Sequence, residues 1–405
     1  MQDNTSEELA SLRRWCQNKP AVQSSWDGQD GFNVLGEFLG DFIRFYPKEN
    51  PPSLLLRCPV SVRQSLERTL SNSVRISDKM KWNTTDWHWV DVFLNGTLNQ
   101  QQLCSLVDDS YQLACDRLEE DKRFQVELIR QKLHSDDVLA KLTEHYSPSH
   151  QKTVIEKLSR HAVLLRTVPD DGRSYRAGQT KIGGVPDLPL DFAWPKHASG
   201  RPLAFLAQIN LSDISKASPL QGVPTSGMFY VFSGYGWKNS RKRSLSLPDS
   251  PDDESWTQLQ YITDEMGIAL QSRQPPADTE PFTSAIVEPT AILSLPHDAG
   301  DPDVASLGWS GQELRQLNEI ANSYDTVSLH PLGNPARHLL LGHAHIVQTV
   351  PEEVQRNRLI LLLQIASDKR AGMLWGDGGY LYFWIHPDDL AAWNLSRIFV
   401  DFQCS

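Results

Sequence analysis

The sequence predicts an α+β protein built from two dissimilar modules. A chain of 405 residues exceeds the length at which a single hydrophobic core stops growing. Residues 1–118 alternate helical and strand-like patterns, whereas residues 166–405 are rich in Pro, Gly, Trp and short strand-like runs. The stretch between them, 119–165, has the charged, amphipathic pattern of connecting helices.

Each element of the first module follows from a local pattern. Leu9, Leu12 and Trp15 recur at helical spacing. Asn95-Gly96 favours a turn because glycine adopts positive φ angles without steric cost. The expected elements are a helix over 6–18 capped by Ser6, strands over 38–46 and 53–57, a helix over 61–70, a strand over 87–94 and a helix over 99–118.

The second module contains an internal sequence repeat. In two places a strand ending Leu-X-Gln-Ile precedes an aromatic strand beginning Gly-X-X-Tyr: Gln208 precedes Tyr230, and Gln364 precedes Tyr382. The sequence therefore predicts two related halves. Because an unpaired buried amide costs about 1–3 kcal/mol, we expect both glutamines to be hydrogen-bonded, either across the core or in a shared polar pocket.

The charge of the chain favours a basic partner. The net charge is −11, and residues 1–120 carry 12 Lys or Arg against 17 Asp or Glu, so both parts of the chain are acidic. Nucleic-acid binding usually requires a basic surface, because phosphate neutralisation supplies most of the affinity. Nucleic acid is therefore not expected as a partner.

The sequence also indicates a cytoplasmic location. Residues 1–12 are polar and acidic, unlike a signal peptide, and the longest apolar run, 359–363, is too short to span a membrane. Five scattered cysteines without a CxxC pair are typical of reduced thiols.

Two motifs resemble a metal site and a phosphate-binding loop. In each, the surrounding residues favour a structural role instead. His338, His343 and His345 include an HxH pair but no further ligand pattern, so no metal is predicted. Lys181 beside Gly183-Gly184 matches no phosphate-binding spacing, and Pro186 and Pro189 block a following helix. We expect a tight loop that packs Trp194, and no catalytic residue or cofactor is predicted.

Two segments are candidates for contact with a partner. The run 375–379 contains Asp-Gly, which is typical of a hairpin turn, and the functional alternative is that Trp375 and Asp377 contact a partner there. The irregular stretch 234–254 has the composition of a disordered segment, and the alternative is an acidic finger that enters a basic cleft. Its acidic residues are Asp249, Asp252, Asp253 and Glu254.

Residues 82–114 resemble the carboxy-terminal signature of the MmcQ/YjbR family. The match consists of Trp89 on a strand, Asn95-Gly96 in a turn and Ser110-Tyr111 on a helix, and the resemblance covers roughly residues 8–118. It implies a small α+β domain, sometimes compared with winged DNA-binding modules, to which no enzymatic activity is generally assigned.

The second module resembles the YwqG family in four blocks that occur in the expected order. Thr180 replaces a commoner serine, and His343-Ala344-His345 replaces a Gly-Tyr-Pro-like turn. The resemblance implies the architecture of two related halves, whereas the biochemical role of the family is largely unassigned. The blocks are 180–195, 200–211, 338–348 and 361–385.

These observations lead to three functional hypotheses. The preferred one is a non-catalytic immunity protein that occludes the active site of a cognate, basic bacterial toxin, since YwqG-like proteins occur near polymorphic toxins. Family association alone points to an ADP-ribosyltransferase as that toxin. The alternatives are an uncharacterised enzyme that uses a YwqG pocket and a nucleic-acid-associated regulator. The regulator would use a basic stripe of Arg57, Arg63, Arg68, Arg75, Lys79 and Lys81.

Overall fold

A computed structural model shows the chain as two compact units. The first unit comprises residues 1–134 and 325–333, and the second comprises 135–324 and 334–405. No helix in the described part of the chain is long and apolar enough to cross a membrane. The structure describes residues 2–24, 30–35, 41–69, 72–77, 79, 86–147, 149–168, 175–236, 254–263, 269–277, 279–332 and 335–404.

The first unit is organised around a six-stranded antiparallel sheet. Its elements are α1 (Gln2–Gln17), β1 (Val22–Ser24), β2 (Gly31–Val34), β3 (Asp41–Tyr46), β4 (Ser53–Pro59), α2 (Val60–Thr69), β5 (Val74–Ile76), β6 (Trp87–Phe93), α3 (Gln100–Asp116) and α4 (Glu120–Gln131). The strand order is β1-β2-β3-β4-β6-β5. The predicted α+β class is confirmed, and the predicted helices and strands occur in the expected order, whereas β1, β2 and β5 were not predicted.

Local chemistry explains why α3 begins and packs where it does. The Asn99 side chain accepts the Gln102 N–H, and the Gln102 side chain accepts the Asn99 N–H, which is a reciprocal capping box. Further along α3, Ser110 Oγ accepts the backbone N–H of Arg57 at 2.8 Å and donates to the carbonyl of Phe42. Ser110 thereby ties the helix to β3 and β4.

The start of α1 differs from the prediction. The helix begins at Gln2, so Ser6 lies within it and is not the N-cap. Trp15, expected on the apolar face, is 43% exposed and donates its Nε1–H to Asp108 at 2.8 Å. Cys16, one position further, is fully buried instead, because positions i+3 and i+4 of a helix lie on the same face.

The predicted helical connector, 119–165, ends in a strand. It contains α4, α5 (Ser135–Tyr146) and α6 (Ser149–Leu158), but Arg160–Thr167 forms β7 near the middle of the large sheet. The extension of the helical prediction to residue 165 was wrong. A buried apolar run such as Ala162–Leu165 does not distinguish a strand from a helix by periodicity.

The second unit contains a ten-stranded antiparallel sheet. Its other elements are β8 (Lys181–Ile182), β9 (Asp187–Leu188), β10 (Ala204–Asn210), α7 (Leu211–Ala217), β11 (Met228–Ser233), β12 (Thr257–Ile262), β13 (Gln271–Ser272), β14 (Ala285–Ser294), α8 (Pro302–Ala305), β15 (Leu339–Leu340), α10 (Glu352–Asn357), β16 (Ile360–Ala366), β17 (Tyr380–Ile385), α11 (Pro387–Ala391) and β18 (Ile398–Gln403). Helix α9 spans Gly311–Leu329. Strands β9 and β13 pair separately.

The order of the large sheet is symmetric about its two central strands. It runs β12-β11-β10-β8-β14-β7-β15-β16-β17-β18. In the two halves, Gln208 lies opposite Tyr230 and Gln364 lies opposite Tyr382. The register of β10 shifts just before Ala207, and that of β16 shifts just before Leu363. The predicted pair of related halves is therefore confirmed at the level of strand register.

Candidate functional site

In the first half, Gln208 fastens a loop to the sheet. Its Oε1 accepts the backbone N–H of Asp187 at 2.8 Å, and its Nε2 donates to the carbonyl of Gln179 at 2.8 Å. The hydroxyl of Tyr230, on the neighbouring strand, donates to the Asp187 carbonyl at 2.6 Å. The segment between residues 179 and 187 is thus held at both ends by side chains from β10 and β11.

In the second half, Gln364 makes the equivalent contacts. Its Oε1 accepts the backbone N–H of His345 at 2.9 Å, and its Nε2 donates to the carbonyl of Arg337 at 2.8 Å. The Tyr382 hydroxyl donates to the His345 carbonyl at 2.6 Å. Each glutamine therefore clamps a loop of its own half, which is neither the cross-link of the core nor the shared polar pocket that we expected.

The clamped loops also share their backbone conformation. Gly183 and Gly184 have φ angles of +68° and +76°, and Leu341 and Gly342 have φ angles of +58° and +85°. A Cβ atom at Gly183 would lie 2.3 Å from the carbonyl oxygen of Thr283, so only glycine fits there. The Gly183-Gly184 turn packs against residues 282–284.

Trp194, which we expected this loop to pack, is placed by other contacts. Its Nε1 donates to the carbonyl of Leu203 at 2.9 Å, and its ring meets Phe232 edge-on at 5.3 Å. The tryptophan therefore anchors the segment before β10 to the core of the sheet.

The first half contains a buried ion pair that sequence reasoning missed. Lys181 Nζ lies 3.3 Å from Asp187 Oδ2, and the side chains are 3% and 1% exposed. The same oxygen accepts hydrogen bonds from the Tyr175 hydroxyl, from Gln208 Nε2 at 2.8 Å and from the Gly178 N–H at 3.0 Å. The Tyr175 ring centre is 4.3 Å from Lys181 Nζ. This enclosed arrangement favours a structural role.

The electrostatics of this cluster stabilise the charged carboxylate. Burial acts to raise the pKa of Asp187, but hydrogen bonds from Tyr175, Gln208 and Gly178 and the charge of Lys181 together hold it below the usual range. Burial lowers the pKa of Lys181, against the opposing effect of Asp187. Asp187 Oδ1 is buried without a hydrogen-bond partner in the described part of the chain.

The equivalent loop of the second half is fixed by His338, which is fully buried. Its Nδ1 accepts the backbone N–H of Ala366 at 3.1 Å, so the ring hydrogen lies on Nε2 and is donated to Asp368 Oδ2 at 3.2 Å. The Thr167 hydroxyl donates to the same carboxylate oxygen at 2.6 Å. This histidine therefore joins β15, β16 and β7.

His343 is engaged through both ring nitrogens. Nε2 lies 2.7 Å from the carbonyl oxygen of Leu158, and Nδ1 lies 2.9 Å from Asp301 Oδ2. Burial acts to raise the pKa of Asp301, but the hydrogen bond from His343 and its charge lower it. The contacts of this ring are protein-internal, which supports a structural role for His343.

A cavity of about 350 Å³ lies beside His343. Asp301, Trp384 and Arg358 form part of its wall. Trp384 is the last member of a stack with Tyr382 and Tyr380 along β17, with ring centres 6.0 and 5.8 Å apart. The volume is within the range of small-ligand pockets.

A larger groove of about 840 Å³ lies between the two edge strands of the sheet. Thr257 and Leu259 of β12 line one side, and Ile398 and Val400 of β18 line the other. All residues of β12 are partly exposed, and so are five of the six residues of β18. The groove adjoins the cavity, because both are lined by Leu359, His386 and Asp388.

The structure separates the two residues predicted for partner contact in the run 375–379. Trp375 is fully buried and donates its Nε1–H to the carbonyl of Ala366 at 3.1 Å, so it is part of the core. Asp377 is exposed in the turn. A Cβ atom at Gly376 would lie 2.6 Å from Cys404, which places this turn against the segment that follows β18.

The acidic finger lies almost entirely outside the described residues, since Asp249, Asp252 and Asp253 belong to a stretch, 237–253, that the structure does not describe. Glu254 begins a short 3-10 turn, Glu254–Trp256, that leads into β12. Trp256 of this turn lines the groove. The acidic finger therefore remains the untested alternative to a disordered segment.

The basic residues of the first unit are largely paired with carboxylates. Arg63 pairs with Glu67, Arg75 with Asp91, and Lys79 with Glu49 and Asp91. Arg57 is buried, and Lys81 lies outside the described residues. These ion pairs reduce the charge of the stripe considered for nucleic-acid binding.

Comparison with known proteins identifies the second unit. A family model described as a domain of unknown function, DUF1963, matches residues 180–404 and confirms the YwqG-like resemblance. No curated protein matches the chain. The crystal structure of the Deinococcus radiodurans protein DR2400, which contains a DUF419 domain, shares 22% identity over 29% of this chain and 87% of that chain, with a TM-score of 0.26. Because the family model covers more than half of its length, the chain belongs to the DUF1963 family.

Proposed function

We propose that the protein is a non-catalytic immunity protein of the cytoplasm that binds a cognate, basic bacterial toxin and occludes its active site. The observation that supports this proposal is the groove between β12 and β18. Among the described strands, β12 pairs only with β11, and β18 pairs only with β17. Edge strands present unpaired N–H and C=O groups, to which an extended segment of a partner can add as a further strand.

The side chains of the groove suit a basic, partly apolar segment. Among the described residues of its lining, Glu353, Asp388 and Asp389 lie along it, against Arg397 as the single Lys or Arg. Arg397 is already paired with Asp389 at 2.6 Å, whereas the Asp388 side chain is 93% exposed. Together with the net charge of −11, this excess of carboxylates favours association with a positively charged protein.

The contacts of the reactive side chains support binding over catalysis. Lys181 and Asp187 are enclosed together, and both ring nitrogens of His343 contact protein oxygens. Burial raises the pKa of Cys16 and Cys58 to about 12, which disfavours the nucleophilic thiolate.

Growth rescue tests the proposal directly. A secreted protein encoded by a gene next to that of this chain is the candidate toxin to be sought first; its toxic domain is expressed in a bacterial host, with and without this chain. The proposal predicts arrest by the domain alone, growth on co-expression and a complex that co-purifies at one-to-one stoichiometry. NAD consumption by the domain, suppressed in the complex, identifies an ADP-ribosyltransferase. A toxin domain that still arrests growth in the presence of this chain contradicts the proposal.

Charge reversal locates the binding surface. Asp388→Lys places a cation at the groove and is expected to weaken toxin binding about tenfold at low salt, with a smaller loss at high salt because exposed charges are screened. The matched control is Glu319→Lys, an exposed residue of α9 outside the groove lining. Equal effects of the two substitutions would show that general charge, and not the groove, governs binding.

A further inference from the structure

Arg57 is a buried cation in the first unit. It lies on β4 directly opposite Trp89 of β6, and the residue is 4% exposed. Its guanidinium carbon is 4.9 Å from the ring centre of Trp87 and 5.2 Å from that of Trp89. The two indole rings meet edge-on, with centres 6.0 Å apart. The guanidinium therefore packs against two aromatic rings.

No carboxylate of the described residues pairs with this guanidinium. Nε and Nη1 of Arg57 are buried and have no hydrogen-bond partner within the described part of the first unit. Placing an ion in the interior carries a large desolvation penalty, which a cation–π contact offsets only in part. The two indoles thus offset only part of the desolvation cost of the Arg57 guanidinium. A bound anion would offset more of it.

A second guanidinium lies beside the same ring. The Arg117 carbon is 5.2 Å from the Trp87 ring centre, and Arg117 is exposed without a carboxylate partner among the described residues. Burial and then the positive charge of Arg117 lower the pKa of Arg57 to about 10, which leaves it protonated at neutral pH. Asp41 attracts Arg57 from a distance, but its Oδ2 is already bound to Arg44 at 2.8 Å.

We propose that Arg57 and Arg117 form a binding site for a phosphate-type oxyanion beside Trp87. A phosphate or phosphomonoester carries nearly two negative charges at neutral pH and several acceptor oxygens, which matches two guanidinium groups. A phosphodiester carries one charge per phosphate and matches the pair less well. The site belongs to the first unit and is independent of the proposed groove in the second.

Calorimetry on the full chain tests the site with three probes: inorganic phosphate, adenosine 5′-monophosphate, and a single-stranded oligonucleotide without a terminal phosphate. We expect phosphate or the monophosphate to bind, with quenching of tryptophan fluorescence and a rise in Tm by mass action. Arg117→Gln, at an exposed position, should weaken binding about tenfold or more. The matched control, Arg68→Gln, removes an exposed arginine of α2 and should leave binding unchanged.

A second variant distinguishes loss of the phosphate site from loss of the fold. Arg57→Met removes the unpaired charge and retains an apolar chain, so it should abolish phosphate binding while the Tm without phosphate is kept or raised. The proposal is overturned if neither phosphate nor the monophosphate binds at millimolar concentration. It is equally overturned if both variants bind as the unmodified chain does, or if only the oligonucleotide binds.

Discussion

Gln364 accepts the backbone N–H of His345 at 2.9 Å, and Gln208 repeats this bond with Asp187 at 2.8 Å in the other half of the sheet. The repetition extends to the tyrosine opposite each glutamine and to two successive positive φ angles in each loop. The two halves therefore share a hydrogen-bonded frame, and they differ in the side chains that it holds.

Removal of one glutamine should destabilise the second unit. In Gln364→Leu, the His345 N–H and the Arg337 carbonyl lose their hydrogen bonds to residue 364, at a cost of about 1–3 kcal/mol for each group that stays buried and unsatisfied. Urea unfolding measures the change. Gln312→Leu, at an exposed position of α9, serves as the control and should change stability by less than about 0.5 kcal/mol. Equal losses in both variants would contradict the clamp.

The Lys181–Asp187 pair permits a test in which residues of the first half are replaced by those at the matching positions of the second half. Lys181→Leu introduces the residue found at the matching position, Leu339, and leaves Asp187 as a buried charge without its cation. The expected loss is about 3 kcal/mol, near the low end for a broken buried pair, because three hydrogen bonds to Asp187 remain. Adding Asp187→His, which copies His345, should recover part of the loss. A double variant less stable than the single one would contradict the equivalence of the halves.

The contact between His343 and Asp301 predicts a dependence of stability on pH. The pKa of Asp301 is lower in the folded chain than the usual value of about 3.9, so its contribution is present above that pH and is lost as the pH falls through the folded pKa. Asp301→Asn should cost about 1.5–3 kcal/mol at pH 7 and progressively less below pH 4. Urea unfolding across this range measures it, and a cost that stays constant with pH would be inconsistent with a lowered pKa of Asp301 in the folded chain.

The cysteines should differ in reactivity. Cys16, Cys58 and Cys115 are buried, whereas Cys104 and Cys404 are partly exposed. Burial raises the pKa of the three buried thiols and also that of Cys104, so exposure is what separates the two groups. Iodoacetamide at pH 8 should therefore label Cys104 and Cys404 first and spare the other three until the chain unfolds. Peptide mass spectrometry gives the order, and early labelling of Cys16 would show that the first unit opens locally.

Sequence patterns predicted the duplicated frame because its chemistry is local. The spacing of Gln208 and Tyr230, echoed by Gln364 and Tyr382, reflects a strand pair that repeats in the chain. The Lys181–Asp187 pair was missed, although aligning the loop 180–187 with 338–345 places Asp187 over His345 and shows that position to be polar in both halves.

Other features depend on contacts between distant parts of the chain. Asp301 meets His343 across 42 positions, and no pattern around either residue indicates the other. The groove requires β12 and β18 to be the two edges of one sheet, which a strand pattern does not determine. Trp375 was singled out because it adjoins a turn, but its burial depends on the packing of its ring in the core.

Hydrogen exchange on the complex with the toxin domain tests the central proposal most directly. If the toxin adds a segment between the edge strands, amides in residues 257–262 and 398–403 should become protected on binding, since unpaired edge N–H groups acquire partners. Asp388→Lys should reduce this protection, and Glu319→Lys should not. Protection confined to other surfaces, with both edge strands exchanging as in the free chain, would contradict binding through the groove.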